Sequence, residues 1–132
     1  MSTDKKHVRN GMGVVRPYVF GRLDLLDFAK QVFGAEELER NSIAGGFHVE
    51  ARIGDSVVVL SAMDPPYSEA TRASVYVYVD DVDAVYKRAI EAGATPLSAK
   101  SVPTDQPYQE RNAGVRDSFG NVWYISTYKG NH

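Results

Sequence analysis

Side chains suited to acid–base or metal chemistry are few in this sequence. Its only imidazoles are His7, His48 and His132, and it contains no cysteine. Disulfides, thiolate metal sites and a cysteine nucleophile are thereby excluded. His7 and His132 fall in stretches read as tails, which leaves His48 as the one histidine expected within folded structure. His48, Glu50 and Arg52 alternate with Val49, Ala51 and Ile53, so the first three share one face of a strand. A His/Glu pair on one face can pass a proton or supply one arm of a metal site. A solvated strand face laced by a charge pair gives the same pattern. A lone His-x-Glu also lacks the roughly three or four protein ligands that a catalytic metal uses. No Gly-x-Ser-x-Gly elbow, phosphate-binding Gly-Lys-Ser/Thr loop or His-Glu-x-x-His helix is present.

Hydroxyl-tipped aromatics form the second chemical pattern. Ser74, Tyr76 and Tyr78 alternate with Val75, Val77 and Val79. Val122, Tyr124 and Ser126 alternate with Trp123, Ile125 and Thr127. Each set presents a valine- or tryptophan-rich face and an opposite face of rings and hydroxyls. Rings for stacking and phenols for hydrogen bonding suit a flat or aromatic small molecule. The same tyrosines would equally well fill a cleft or a dimer interface. Glu110 and Arg111 lie in a long loop, residues 103–112, where charges either gate a cleft or are simply solvated.

The elements that position these residues repeat. Leu25, Phe28, Ala29, Val32 and Phe33 form an apolar stripe at helical spacing, and Val82, Val85, Tyr86, Ala89 and Ile90 reproduce it. Asp24 and Asp81 precede the stripes as N-caps, Lys30 and Lys87 match near the far ends, and Gly34-Ala35 and Gly93-Ala94 stop both helices. Strands are expected before the helices at residues 14–20 and 74–79. Hairpins follow: residues 47–53 turn at Gly54-Asp55 into 56–62, and residues 114–116 turn at 117–120 into 121–128. Shorter strands are expected near 95–101 and 36–40. The joining segment, 64–71, carries Pro65-Pro66. The sequence thus predicts an α+β fold of tandem βαβββ repeats. Residues 11–128 form one domain of two modules, 11–64 and 72–128, between tails at 1–10 and 129–132.

Bulk properties narrow the function. The chain has 132 residues, 43% hydrophobic and 24% charged, which suits one folded core rather than low-complexity disorder. A net charge of −2 without a Lys/Arg cluster argues against nucleic-acid and membrane-surface partners. Residues 1–12 are polar and lack the apolar core of a signal peptide, so a cytoplasmic location is expected.

Three stretches make the resemblance specific. Residues 78–94, from Tyr78 through Asp80-Asp81 to Gly93-Ala94, resemble the strand–helix signature of the second half of vicinal oxygen chelate proteins (glyoxalases, bleomycin-resistance proteins, extradiol dioxygenases). Val-Arg-Asp-Ser-Phe-Gly-Asn-Val-Trp, residues 115–123, resembles that family's Asp-Pro-x-Gly turn and last strand, with Ser118 in place of proline. Ala-Arg-Ile-Gly-Asp-Ser-Val-Val-Val-Leu, residues 51–60, resembles the hairpin closing the first half. With Pro17-Tyr18 and Phe33-Gly34-Ala35, the likeness covers nearly everything after Asn10.

The resemblance implies a curved mixed sheet around a cleft and, in the family's enzymes, a divalent metal held by His and Glu. Those ligand positions fall here at about Pro17, Val59, Ser74 and Tyr124, none a competent ligand, so no metal and no cofactor is expected. The same positions imply a concave surface carrying Val19, Val57, Val59, Ser61, Ser74, Tyr76, Tyr78, Tyr124 and Ser126, with Tyr108 overhanging it. The leading expectation is a metal-free binder of the antibiotic-resistance type that sequesters an aromatic or amphipathic molecule, as a homodimer. Behind it stands a glyoxalase-like lyase, isomerase or dioxygenase using His48 and Glu50. A structural or partner-binding dimer module comes third.

Overall fold

The computed structural model describes residues 6–63 and 72–130. The expected joining segment, 64–71, lies outside the described residues, as do residues 1–5 and 131–132 of the expected tails. The first half runs β1 (Tyr18–Gly21), α1 (Leu25–Phe33), β2 (Glu36–Ile43), β3 (Gly46–Ile53) and β4 (Ser56–Met63). Its sheet has the order β1-β4-β3-β2, with β1 parallel to β4 and the remaining pairs antiparallel. The second half runs β5 (Ser74–Tyr78), α2 (Val82–Glu91), β6 (Thr95–Pro96), β7 (Thr104–Gln106), β8 (Glu110–Arg116) and β9 (Val122–Tyr128). Its order is β5-β9-β8-β6, with β7 also paired to β8. The fold is α+β, two helices on two mixed sheets of like topology.

The halves differ at one edge. Where β2 runs unbroken, the second half has two pieces: β6 pairs with Val115 and Arg116, and β7 with residues from Glu110 to Asn112. The stretch read as a loop at 103–112 is therefore a hairpin, and β8 begins four residues earlier than residue 114. Gln109 closes that hairpin with a φ of 64°, a left-handed conformation that usually calls for glycine or asparagine.

Local chemistry explains the helix ends. Gly34 takes a left-handed φ of 66° and its N–H returns to Lys30 O, closing α1. Asp81 is extended, and its carboxylate accepts from Ala84 N at 3.1 Å. Asp24 differs. Its backbone is not extended (φ −87°, ψ 4°), and its side chain makes no cap bond.

One core unites the halves. Leu25, Leu26, Ala29 and Val32 of α1 and Val82, Val85 and Ala89 of α2 pack with the helix-facing side chains of both sheets. Trp123 is fully buried, 6.0 Å from Phe28 and 5.1 Å from Phe33 between ring centroids. Asn121 stitches the modules together: its Nδ2 donates to Phe20 O at 2.8 Å, and its Oδ1 accepts from Ala73 N at 2.8 Å. The turn before β9 is held by Asp117. One carboxylate oxygen accepts from the backbone N–H groups of Phe119, Gly120 and Asn121, and the other from Asn121 Nδ2 and Trp123 Nε1.

Val19 belongs to this core rather than to a concave surface. It pairs with Leu60, and both are fully buried beneath the helices. The side chains that share a face with Val59 and Ser61 are those of Tyr18 and Phe20. Because the helix-facing sides pack together, each sheet's other face turns away from the common core.

Candidate functional site

The two outward faces have different fates. On the first sheet, register places Tyr18, Phe20, His48, Glu50, Val57, Val59 and Ser61 on one side. Residues 9–16 run across it. Arg9–Gly11 form a 3₁₀ turn, and Arg9 pairs with Glu39 of β2. Gly13, at φ +76°, lies so close to Val57 that a Cβ there would stand 3.0 Å from the valine Cβ. Arg16 then turns inward. Its Nε donates to Gly13 O at 2.8 Å, its Nη2 to Met12 O at 2.7 Å and to Arg9 O, and its Nη1 to Glu50.

Glu50 is 3% exposed, and its second oxygen meets His48 Nε2 at 2.7 Å. A buried carboxylate is costly unless paired. Here a guanidinium and an imidazole share it. The sequence candidates His48 and Glu50 are thus brought together, yet the Arg16 guanidinium occupies one oxygen of the carboxylate that would take a proton or a metal. The N-terminal stretch, read from sequence as a tail to residue 10, supplies this cover from Arg9 onward.

On the second sheet the corresponding face is open. Tyr76, Tyr124 and Gly114 lie side by side on one rung, and Tyr78, Ser126 and Asn112 on the next. Ring centroids are 5.5 Å apart for Tyr76–Tyr78 and 6.0 Å for Tyr76–Tyr124, within the range of favourable aromatic pairs. All three tyrosines remain 41 to 62% exposed. The polar centre is Glu110, 9% exposed. Its carboxylate accepts from Tyr76 Oη, from Tyr78 Oη at 2.6 Å and from Ser126 Oγ at 2.7 Å.

These contacts bias protonation. The tyrosine and serine hydrogen bonds hold the Glu110 carboxyl below its ordinary value. The Glu110 bond pushes the Tyr78 phenol up to about 12, and desolvation followed by the same carboxylate raises Tyr76. At neutral pH the cluster is one anion held by neutral hydroxyls. Among the described residues no ion pair reaches Glu110. The neighbouring Arg111 is turned to Asp83, at 2.9 and 3.0 Å, and to Asp105 at 3.3 Å.

Of the residues expected to bind ligand, Tyr76, Tyr78, Tyr124 and Ser126 are brought together. Tyr108 joins them through Asn112, whose Nδ2 donates to its Oη at 3.0 Å. Ser74 is exposed at the far end of β5, level with Val122. Val59 lies on the other sheet, buried beside Glu50. From the sequence, Glu110 reads only as a loop charge that gates a cleft or is solvated, and Arg16 does not read as a site residue. Extending the alternation of Ala113 and Val115 back along β8 would have put Glu110 on the tyrosine face; nothing local marks Arg16.

A cavity of about 500 Å³ opens between the modules, lined by Val32, Phe33, Val58, Val75, Val77 and Val85 together with Tyr76, Tyr78, Asp80 and Arg88. Among the described residues no three His, Asp or Glu side chains converge as a metal site requires. On the outward faces, the parallel strand pairs bring together Tyr18 with Val59, Phe20 with Ser61, Ser74 with Val122, Tyr76 with Tyr124 and Tyr78 with Ser126, a donor set unsuited to a hard or borderline divalent metal. No helix is long and apolar enough to cross a membrane.

Comparison with known proteins places this geometry. Residues 24–125 match the model of the Glyoxalase/Bleomycin resistance protein/Dioxygenase superfamily. An uncharacterized protein of Mycobacterium bovis is 33% identical over 112 residues, covering 76% of this chain and 72% of that protein. A Mycobacterium tuberculosis protein matches at the same identity over 64% of its length. Among solved structures, TioX from Micromonospora sp. ML1 is similar at 27% identity and a TM-score of 0.65, covering 86% of this chain and 98% of TioX. The fosfomycin resistance protein FosX from Listeria monocytogenes shares the fold at 12% identity and a TM-score of 0.66, over 91% and 94% of the two chains.

Proposed function

Because the chain belongs to the glyoxalase/bleomycin resistance protein/dioxygenase superfamily, we propose that it is a metal-independent binder of that fold, sequestering a small aromatic or amphipathic molecule on its tyrosine face. The observation that carries this reading is the group of Tyr76, Tyr78 and Tyr124, exposed yet organised around one carboxylate. Exposed rings provide stacking area at small entropic cost, and the hydroxyl–carboxylate network fixes their orientation before a ligand arrives. The chain acts as a homodimer, whose second copy roofs the face and turns it into a cleft. Resistance to a toxic compound by sequestration is the biological role in view, in keeping with the resistance protein among its structural neighbours.

The test is a titration with a panel of aromatic natural products, followed by melting temperature and tyrosine fluorescence. Trp123 is a poor reporter because it is buried under α1. A ligand at about 100 times its Kd adds about 2.7 kcal/mol of stability. A panel that moves neither signal removes the support for this reading. The 2.7 Å contact between His48 and Glu50 keeps an enzymatic second reading in play. Stoichiometric metal in protein purified without chelator, lost on Glu50→Gln, would favour it.

A further inference from the structure

We propose that the tyrosine face selects organic cations: a protonated amine or quaternary ammonium carried on an aromatic scaffold. This deepens the binding reading and rests on it. The argument starts from a charge left over. Glu110 is nearly buried, its three donors are uncharged hydroxyls, and no ion pair reaches it among the described residues.

An ionised carboxylate offers about four acceptor directions. Tyr76 and Ser126 use Oε1, and Tyr78 alone uses Oε2, so acceptor capacity remains beside the Tyr78 ring. The ring faces carry negative potential that adds to the attraction for a cation. The nearby basic side chains are committed elsewhere, Arg111 to Asp83 and Asp105, and Lys129 to Asp105 at 3.1 Å.

The first sheet shows what such a carboxylate holds when the chain itself supplies a cation. There the Arg16 guanidinium sits on Glu50 beside an imidazole. On the second sheet the ligand plays the part that Arg16 plays on the first. A neutral or anionic ligand covering Glu110 would strip water from an anion without replacing it, a penalty that a cation avoids.

The experiment uses three probes on one ring system: naphthylmethylammonium, naphthylmethyl methyl ether and naphthylacetate. Each is titrated into the full chain, with tyrosine fluorescence and melting temperature as readouts. The ammonium probe should bind about tenfold more tightly than the ether, with the acetate weakest. Glu110→Gln should bring the ammonium probe to the level of the ether. Tyr78→Phe, which keeps the charge, should keep the preference.

An ether that binds as well as the ammonium probe overturns cation selection while leaving the binding reading intact. So does a preference that survives Glu110→Gln. If Glu110→Gln does not fold, the ranking of the three probes on the unmodified chain decides. Failure of all three probes to move either readout overturns both readings at once.

Discussion

The two outward sheet faces pose the same problem and solve it differently. Each carries one carboxylate withdrawn from water, Glu50 at 3% exposure and Glu110 at 9%. On the first sheet the chain folds its own N-terminal segment over the face and delivers a guanidinium to the acid. On the second it delivers only neutral hydroxyls and leaves the surrounding rings exposed. The first face is finished as structure. The second has the organisation of a core and the exposure of a surface, and the proposed binding rests on that combination. On the proposed reading, the duplicated scaffold uses one copy for stability and keeps the other for binding.

The largest effect should come from breaking the finished face. Arg16→Ala leaves Glu50 with only His48, and we expect a loss of about 3 kcal/mol in urea unfolding. Adding Glu50→Gln should recover most of it; no recovery would mean that Arg16 acts through packing rather than charge. Gly13→Ala attacks the same cover. It places a Cβ against Val57 at a positive φ and should cost about 1–2 kcal/mol, with faster proteolysis within residues 6–16.

The open face should respond oppositely. Glu110→Gln removes an unpaired charge but keeps a carbonyl acceptor, so stability should move by less than about 1 kcal/mol either way in the same assay. A loss as large as that of Arg16→Ala would show that Glu110 is structural, and the contrast between the faces would fail.

The smallest effect concerns the β7–β8 hairpin that carries Glu110. Lys129 and then Arg111 hold Asp105 below the ordinary carboxylate value, and Arg111 does the same for Asp83 on α2. Because these folded-state values are depressed, the contribution is complete at neutral pH. It fades as pH falls below the usual carboxylate range toward the depressed values. The protection of the Thr104–Gln106 amides, taken against their intrinsic exchange rate at each pH, should fall in acid and in high salt, since the pairs are exposed and screened. Protection indifferent to both would leave the hairpin held by backbone pairing alone.

Most of the framework was legible because it is local. Apolar spacing announced both helices, Gly34 and Gly93 marked their ends, and Gly54-Asp55 and the turn at 117–120 marked the hairpins. Alternation put Tyr76, Tyr78, Tyr124 and Ser126 on one face. The reading failed where a segment's partner lies far along the chain. Residues 104–106 are polar and short, and only pairing with β8 makes them a strand. Val19 was assigned to the wrong face because the phase of a short strand is fixed by its parallel partner, Leu60, and not by its own residues.

What the sequence determined by itself was periodicity and residue type: two like halves, a chain without thiols, and a tyrosine-rich strand face. What only the tertiary structure decided was which charges meet. Arg16 and Glu50 are 34 residues apart, as are Tyr76 and Glu110. No pattern within a turn or a strand encodes such pairs. Their energies depend on burial and on the partner across the sheet, and both exist only once the backbone has closed.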